Sequence, residues 1–152
     1  MVELSTGKKR RLTSGDTYVW NVRWSPDSRA IAFLVSPTGW VDDGNLVDIG
    51  IVSASGGAMR KVGAIGAPFA WSPDGKWIAW ASGSDRTQYV EKSRPLGRAG
   101  RRAVRPVDLT AGFDEDADTP SWVPSRTRCC FHSAAGRSST LLAAVPRARR
   151  RR

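Results

Sequence analysis

The sequence predicts an all-β fold built from repeated, four-stranded antiparallel units, and three observations carry that expectation. A motif recurs, first as Trp24-Ser25-Pro26-Asp27-Ser28-Arg29-Ala30-Ile31-Ala32-Phe33 and then as Trp71-Ser72-Pro73-Asp74-Gly75-Lys76-Trp77-Ile78-Ala79-Trp80. A weaker third copy is Trp122-Val123-Pro124-Ser125-Arg126-Thr127-Arg128-Cys129-Cys130-Phe131. In all three, the Trp and the closing aromatic are nine positions apart, and the copies start 47 and 51 residues apart. Between the copies, short apolar runs are punctuated by Gly and Pro, the pattern of many short strands joined by turns.

A period near 50 fits a blade of four strands, for which roughly 40–50 residues is usual. The chain therefore reads as an incomplete β-propeller of about three four-stranded antiparallel blades. Each motif has a mechanical meaning. Pro26, Pro73 and Pro124 preset φ for a turn. Asp27 and Asp74 can bond the neighbouring backbone. Gly75 accepts a left-handed conformation without a steric penalty. A tight reversal follows each Trp, and a strand follows the reversal. Along that strand Ile31 and Phe33 share one face, as do Ile78 and Trp80, and Cys129 and Phe131. The opposite face carries Ala32, Ala79 and Cys130. Both faces are apolar, so both are expected to be buried between neighbouring blades.

The remainder of each period repeats as well. Asp48 to Val52 reads as a third strand, Ser55-Gly56-Gly57 as a hairpin turn, and Ala58 to Val62 as a short outer strand. Residues 1–13 read as the last strand of a preceding blade. Residues 17–62 and 67–110 read as whole blades, 119–145 as a partial one, and 146–152 as a disordered Arg-rich tail. Residues 36–45 form a long loop on one rim, a usual place for partner contacts. Closed propellers have about 4–8 blades. An open arc leaves apolar faces in water, so the chain is expected to be marginal, self-associating or dependent on missing blades.

Net charge is +10, but without the five arginines of residues 146–152 the balance is 19 basic to 14 acidic residues. Lys8-Lys9-Arg10-Arg11 and the arginines at 98, 101, 102 and 105 fall on or beside expected outer strands, where basic residues protect edges. Nonspecific, salt-sensitive binding of nucleic acid is the most such runs imply. Met1 to Lys8 lack the apolar core of a signal peptide, and no run approaches the roughly 20 apolar residues of a membrane span. A cytoplasmic chain that does not enter membranes is expected. Cys129 and Cys130 are adjacent, so a bond between them would be strained, and two buried thiols are expected. The one histidine, His132, reads as a strand-end residue. One His beside two adjacent cysteines is a poor zinc set, and the residues call for no metal and no cofactor.

The motif, the Gly-Gly hairpin and the runs Leu12 to Asp16, Asp48 to Gly57 and Leu109 to Asp114 resemble the N-terminal propeller of the prolyl oligopeptidase family of serine peptidases, in its acylaminoacyl-peptidase and dipeptidyl-peptidase branch. They are also similar to the periplasmic propeller of the Tol-Pal system. The first resemblance implies a non-catalytic propeller that gates or positions peptide substrate for a hydrolase domain absent from this chain. The second implies a standalone protein-interaction module. A hydrolase nucleophile needs Gly-x-Ser-x-Gly, and no serine here has glycine two residues to both sides. The third motif departs from the pattern at Val123, Ser125 and Arg126, as expected of a shortened or frame-altered copy of a longer gene.

Overall fold

In the computed structural model the described residues are 1–39, 47–64, 66–82, 88–92, 107–109, 119–124, 128–133 and 140–144. They form eleven strands in chain order: β1 (Tyr18–Trp24), β2 (Ala30–Ser36), β3 (Asp48–Ser53), β4 (Arg60–Ala64), β5 (Gly66–Trp71), β6 (Trp77–Ser82), β7 (Gln88–Lys92), β8 (Val107–Asp108), β9 (Ser121–Trp122), β10 (Cys129–Ser133) and β11 (Thr140–Ala144). These make three antiparallel meanders. Sheet 1 is β1-β2-β3-β4, sheet 2 is β5-β6-β7-β8, and sheet 3 is β9-β10-β11. No helix among the described residues is long and apolar enough to cross a membrane.

The sheets stack face to face, and the alternation of side chains shows how. On β2, Ala32 and Leu34 point toward sheet 2, where they join Ile49, Ile51 and Val62 against Phe69, Ile78 and Trp80. The other face of β2 carries Ile31, Phe33 and Val35, which pack with Val52, Met59 and Leu12. On β6 the pattern continues. Ile78 and Trp80 look back to sheet 1, while Ala79 and Trp77 look forward to Cys129 and Trp122 of sheet 3. Sheets 1 and 2 thus turn the Ile31–Phe33 or Ile78–Trp80 face of their second strand to the preceding element and the Ala32 or Ala79 face to the next. Both faces of β2 and β6 are buried, and each large apolar side chain removed from water contributes roughly 1.5–3 kcal/mol.

Local geometry lets the layers approach. A Cβ on Gly50 would fall 2.6 Å from Phe33 Cε2 and 2.9 Å from the Met59 sulfur, so only glycine lets that ring lie across β3. The β3–β4 hairpin turns through Gly56 and Gly57, at φ 92° and 116°. The first strands of sheets 1 and 2 are both irregular. Register shifts between Trp20 and Arg23 in β1, with Asn21 at φ 50°, and between Gly66 and Phe69 in β5.

Residues 1–13, expected as one outer strand, fold back on themselves. Val2 bridges Lys9, and the Arg10 N–H donates to the Met1 carbonyl at 2.9 Å. The segment still occupies the place of a preceding layer, because Leu12 covers the Ile31–Phe33 face. Of the expected rim loop, residues 36–45, Ser36 ends β2 and residues 40–45 lie outside the described residues, as do 93–106, 110–118 and 145–152.

Candidate functional site

The first two motifs build the same hydrogen-bonded turn at the same offsets. The Ser28 N–H donates to the Ser25 carbonyl at 2.9 Å, and the Gly75 N–H to the Ser72 carbonyl at 2.8 Å. Pro26 and Pro73 sit at the second position of each turn, and Asp27 and Asp74 at the third. The fourth position is left-handed, Ser28 at φ 57° and Gly75 at φ 67°. This is a type I turn closed by a left-handed residue, a common way to join antiparallel strands.

The hub of each turn is a serine that sequence reasoning passed over. Ser72 is fully buried; its hydroxyl donates to Asp74 Oδ1 at 2.6 Å and accepts the Trp77 N–H at 2.9 Å. Ser25 is buried likewise, with its hydroxyl 2.7 Å from Asp27 Oδ1 and accepting the Ala30 N–H at 2.9 Å. Each carboxylate also accepts a backbone N–H at 3.1 Å, from Arg29 for Asp27 and from Lys76 for Asp74. The Ser25 hydroxyl is the foremost of the groups holding the Asp27 carboxyl below its ordinary value. Burial pushes the Asp74 carboxyl up, but the Ser72 hydroxyl, the Lys76 N–H and the Lys76 charge outweigh it and hold the group low. The only sequence signal for the serines was their identity in both copies. The third motif has Val123 there, and its described residues keep the backbone bond from the Val123 N–H to the Arg128 carbonyl at 3.0 Å.

The motif tryptophans occupy three settings. Trp122 reaches across to sheet 2, and its indole N–H donates to the Ala70 carbonyl at 3.1 Å. Trp71 packs on the sheet 1–sheet 2 core, with its indole N–H buried and without a partner among the described residues. Trp24 is 49% exposed. Phe33 and Trp80 are both core residues, and Pro124 is exposed. Phe131 lies in β10, paired through the backbone with Leu142.

The two turns stand side by side, since a Cβ on Gly75 would lie 3.7 Å from Pro26 Cδ. Between them opens a cleft of about 650 Å³, lined by the turns, by the Ser53–Ser55 corner of sheet 1 and by Trp71. Its rim carries Asp27, Arg29, Asp74 and Lys76, two of each sign. Arg10 spans the same corner from the N-terminal segment, donating to the Ser55 carbonyl at 3.1 Å and to the Ala54 carbonyl. One member of the first basic run is therefore a structural tether. Both cysteines are free and buried, and burial foremost pushes the Cys129 thiol up to about 12. His132 lies within β10, opposite Leu141. Among the described residues no three His, Cys, Asp or Glu side chains gather as a metal site.

The same stacking of four-stranded meanders is found in solved structures. Oligogalacturonate lyase from Vibrio parahaemolyticus matches 95% of this chain and 41% of its own, with a TM-score of 0.60 and 15% identity. The β-propeller domain of Swd1 (Cps50) from Myceliophteria thermophila matches 95% of this chain and 46% of its own, with a TM-score of 0.52 and 16% identity. The chain is part of a β-propeller. At these identities the likeness shows the fold alone, and the chain spans less than half the length of either neighbour. No family model matches the sequence, and no curated protein matches it. In propeller terms, sheets 1 and 2 are blades 1 and 2, and β1 and β5 are their first strands.

Proposed function

We propose that this part-propeller binds and positions a peptide for chemistry performed elsewhere, as the propeller of the prolyl oligopeptidase family does for its hydrolase domain. The observation that supports this reading is the cleft between blades 1 and 2. It offers Trp71 as an apolar wall and Arg29 and Lys76 as cations. The paired carboxylates are already engaged by serine hydroxyls and backbone N–H groups. That arrangement suits an extended chain carrying carbonyls and a carboxylate, with the aromatic wall providing contact area. The rim is fixed by two hydrogen-bonded turns, so binding there requires little ordering.

The test is a fluorescence titration of the chain with an unstructured, proline-containing peptide that has no Trp or Tyr. A saturable change that is lost in Arg29→Glu and Lys76→Glu is the expected result. A linear, non-saturating response, or saturation indifferent to both variants, overturns the reading. In the alternative, a standalone protein-interaction propeller, the same rim takes a folded partner and the isolated peptide does not bind. Nonspecific nucleic-acid binding through the basic runs would instead fall with salt and ignore both variants.

A further inference from the structure

Arg10 and Arg11 are neighbours in the first basic run, yet their side chains do different things. Arg11 turns back on its own segment, its Nε donating to the Thr13 carbonyl at 2.7 Å. Arg10 reaches 45 positions along the chain, its Nη1 donating to the Ser55 carbonyl at 3.1 Å and its Nη2 to the Ala54 carbonyl. Two forked N–H groups on two successive carbonyls suit a planar guanidinium, and a lysine ammonium does not reproduce that fork. The segment behind the fork is anchored. Val2 bridges Lys9, the Glu3 N–H donates to the Lys8 carbonyl at 3.0 Å, and Leu12 packs on blade 1.

The corner that accepts the fork is a wall of the cleft. It is also bonded to one of the two rim cations, because the Ala54 N–H donates to the Arg29 carbonyl at 2.8 Å. The Arg29 N–H in turn donates to Asp27 Oδ1 at 3.1 Å, and the Ser25 hydroxyl donates to the same oxygen at 2.7 Å. The Arg29 backbone is thus held twice, by the turn through its N–H and by the corner through its carbonyl. Its side chain is exposed, so the backbone is what fixes the origin of its charge. Lys76 has the equivalent N–H bond, to Asp74 Oδ1, in blade 2, whereas the carbonyls that Arg10 holds belong to blade 1. The two rim cations therefore stand in unequal relation to the N-terminal segment.

We infer that Arg10 is a positioning residue of the cleft: its fork sets the Ala54–Ser55 corner, the corner sets Arg29, and residues 1–13 thereby govern how the cleft holds an anionic group of its ligand. This rests on the cleft being the peptide site proposed above, and two arms of one experiment keep the claims apart. The first arm uses no ligand. Exchange of the Ala54 N–H is expected to speed up about tenfold in Arg10→Ala and in Arg10→Lys and to stay unchanged in Arg11→Ala, with the Gly75 N–H as the blade 2 reference. The second arm is the titration with the proline-containing peptide, in which both Arg10 variants are expected to lose about fivefold in affinity. In an Arg29→Ala background, adding Arg10→Ala is expected to change affinity by less than about twofold, while in a Lys76→Ala background its full effect remains. Unchanged Ala54 exchange in Arg10→Ala overturns the inference whether or not peptide binds. So does Arg10→Lys matching the unsubstituted chain in both arms, which would reduce Arg10 to its charge, and so does an equal loss in the Arg29→Ala and Lys76→Ala backgrounds. Failure of the unsubstituted chain to bind peptide saturably overturns the peptide reading instead, and the exchange arm then decides the positioning alone.

Discussion

β1 and β5 are the first strands of equivalent blades, yet β1 is exposed along nearly its whole length and β5 is not. In β1, Tyr18, Val19, Trp20, Val22 and Trp24 all face water to a large degree. In β5, Phe69 is buried and Ala70 and Trp71 are half-buried. Both strands contain a bulge, both end in the motif Trp, and both lie at the edge of their sheets. The difference is the company each keeps. β5 lies between blade 1 and Trp122 of sheet 3, whereas among the described residues the preceding segment that packs on the corresponding side of blade 1 does so through Leu12. In this fold, a first strand becomes core through the adjoining blade and not through its own sequence.

Substitutions at equivalent positions sharpen that contrast. Trp80→Ala empties a site in the blade 1–blade 2 core, where Trp80 is 2% exposed, and is expected to cost about 3–5 kcal/mol in denaturant unfolding. Trp24→Ala, at concentrations where the chain is monomeric, is expected to cost no more than about 0.5 kcal/mol. Equal losses would break the comparison. Next in size is Ser72→Ala, which removes the acceptor of the Trp77 N–H and the donor to Asp74. A loss of about 1–3 kcal/mol is expected, and Ser25→Ala should match it because the turns are alike.

Smaller again is the left-handed position. Gly75→Ala places a Cβ at φ 67° and is expected to cost about 1–2 kcal/mol. Ser28→Gly relieves the same strain in blade 1 and is expected to raise its melting temperature slightly, or at least not lower it. The smallest effect is the pH response of the two turns. Both carboxyls are held below their ordinary value of 3.8, so their stabilisation is complete above that pH. It is lost as pH falls from there through the lower folded values. Melting curves between about pH 5 and 2.5 should show this fall, and it should be shallower in Asp74→Asn. A fall centred above the ordinary value would contradict the turn geometry.

The sequence made the stacking legible because it depends on alternation alone. Ile31 and Phe33, or Ile78 and Trp80, must share a face on any strand, and small residues opposite them invite a neighbour. The Pro-Asp turn was legible for the same local reason. The serine hubs were not, because a hydroxyl acquires its role only when the turn brings an N–H and a carboxylate to it. Nor was the fold-back of residues 1–13, where the pairing of Val2 with Lys9 competes with an outer strand of similar composition. The exposure of β1 lay in the missing neighbour, which a repeat can announce but cannot supply. The cleft was equally hidden, since it arises from two turns 47 residues apart placed side by side.

Amide hydrogen exchange on dilute, monomeric protein tests the central claim most directly, because it reads β1 and β5 in one experiment. Burial set by the adjoining blade predicts that Phe69 to Trp71 exchange nearly as slowly as the centre strands Ile31–Val35 and Ile78–Ala81, while Val19 to Trp24 exchange far faster despite their pairing with β2. Equal protection of the two first strands would contradict it.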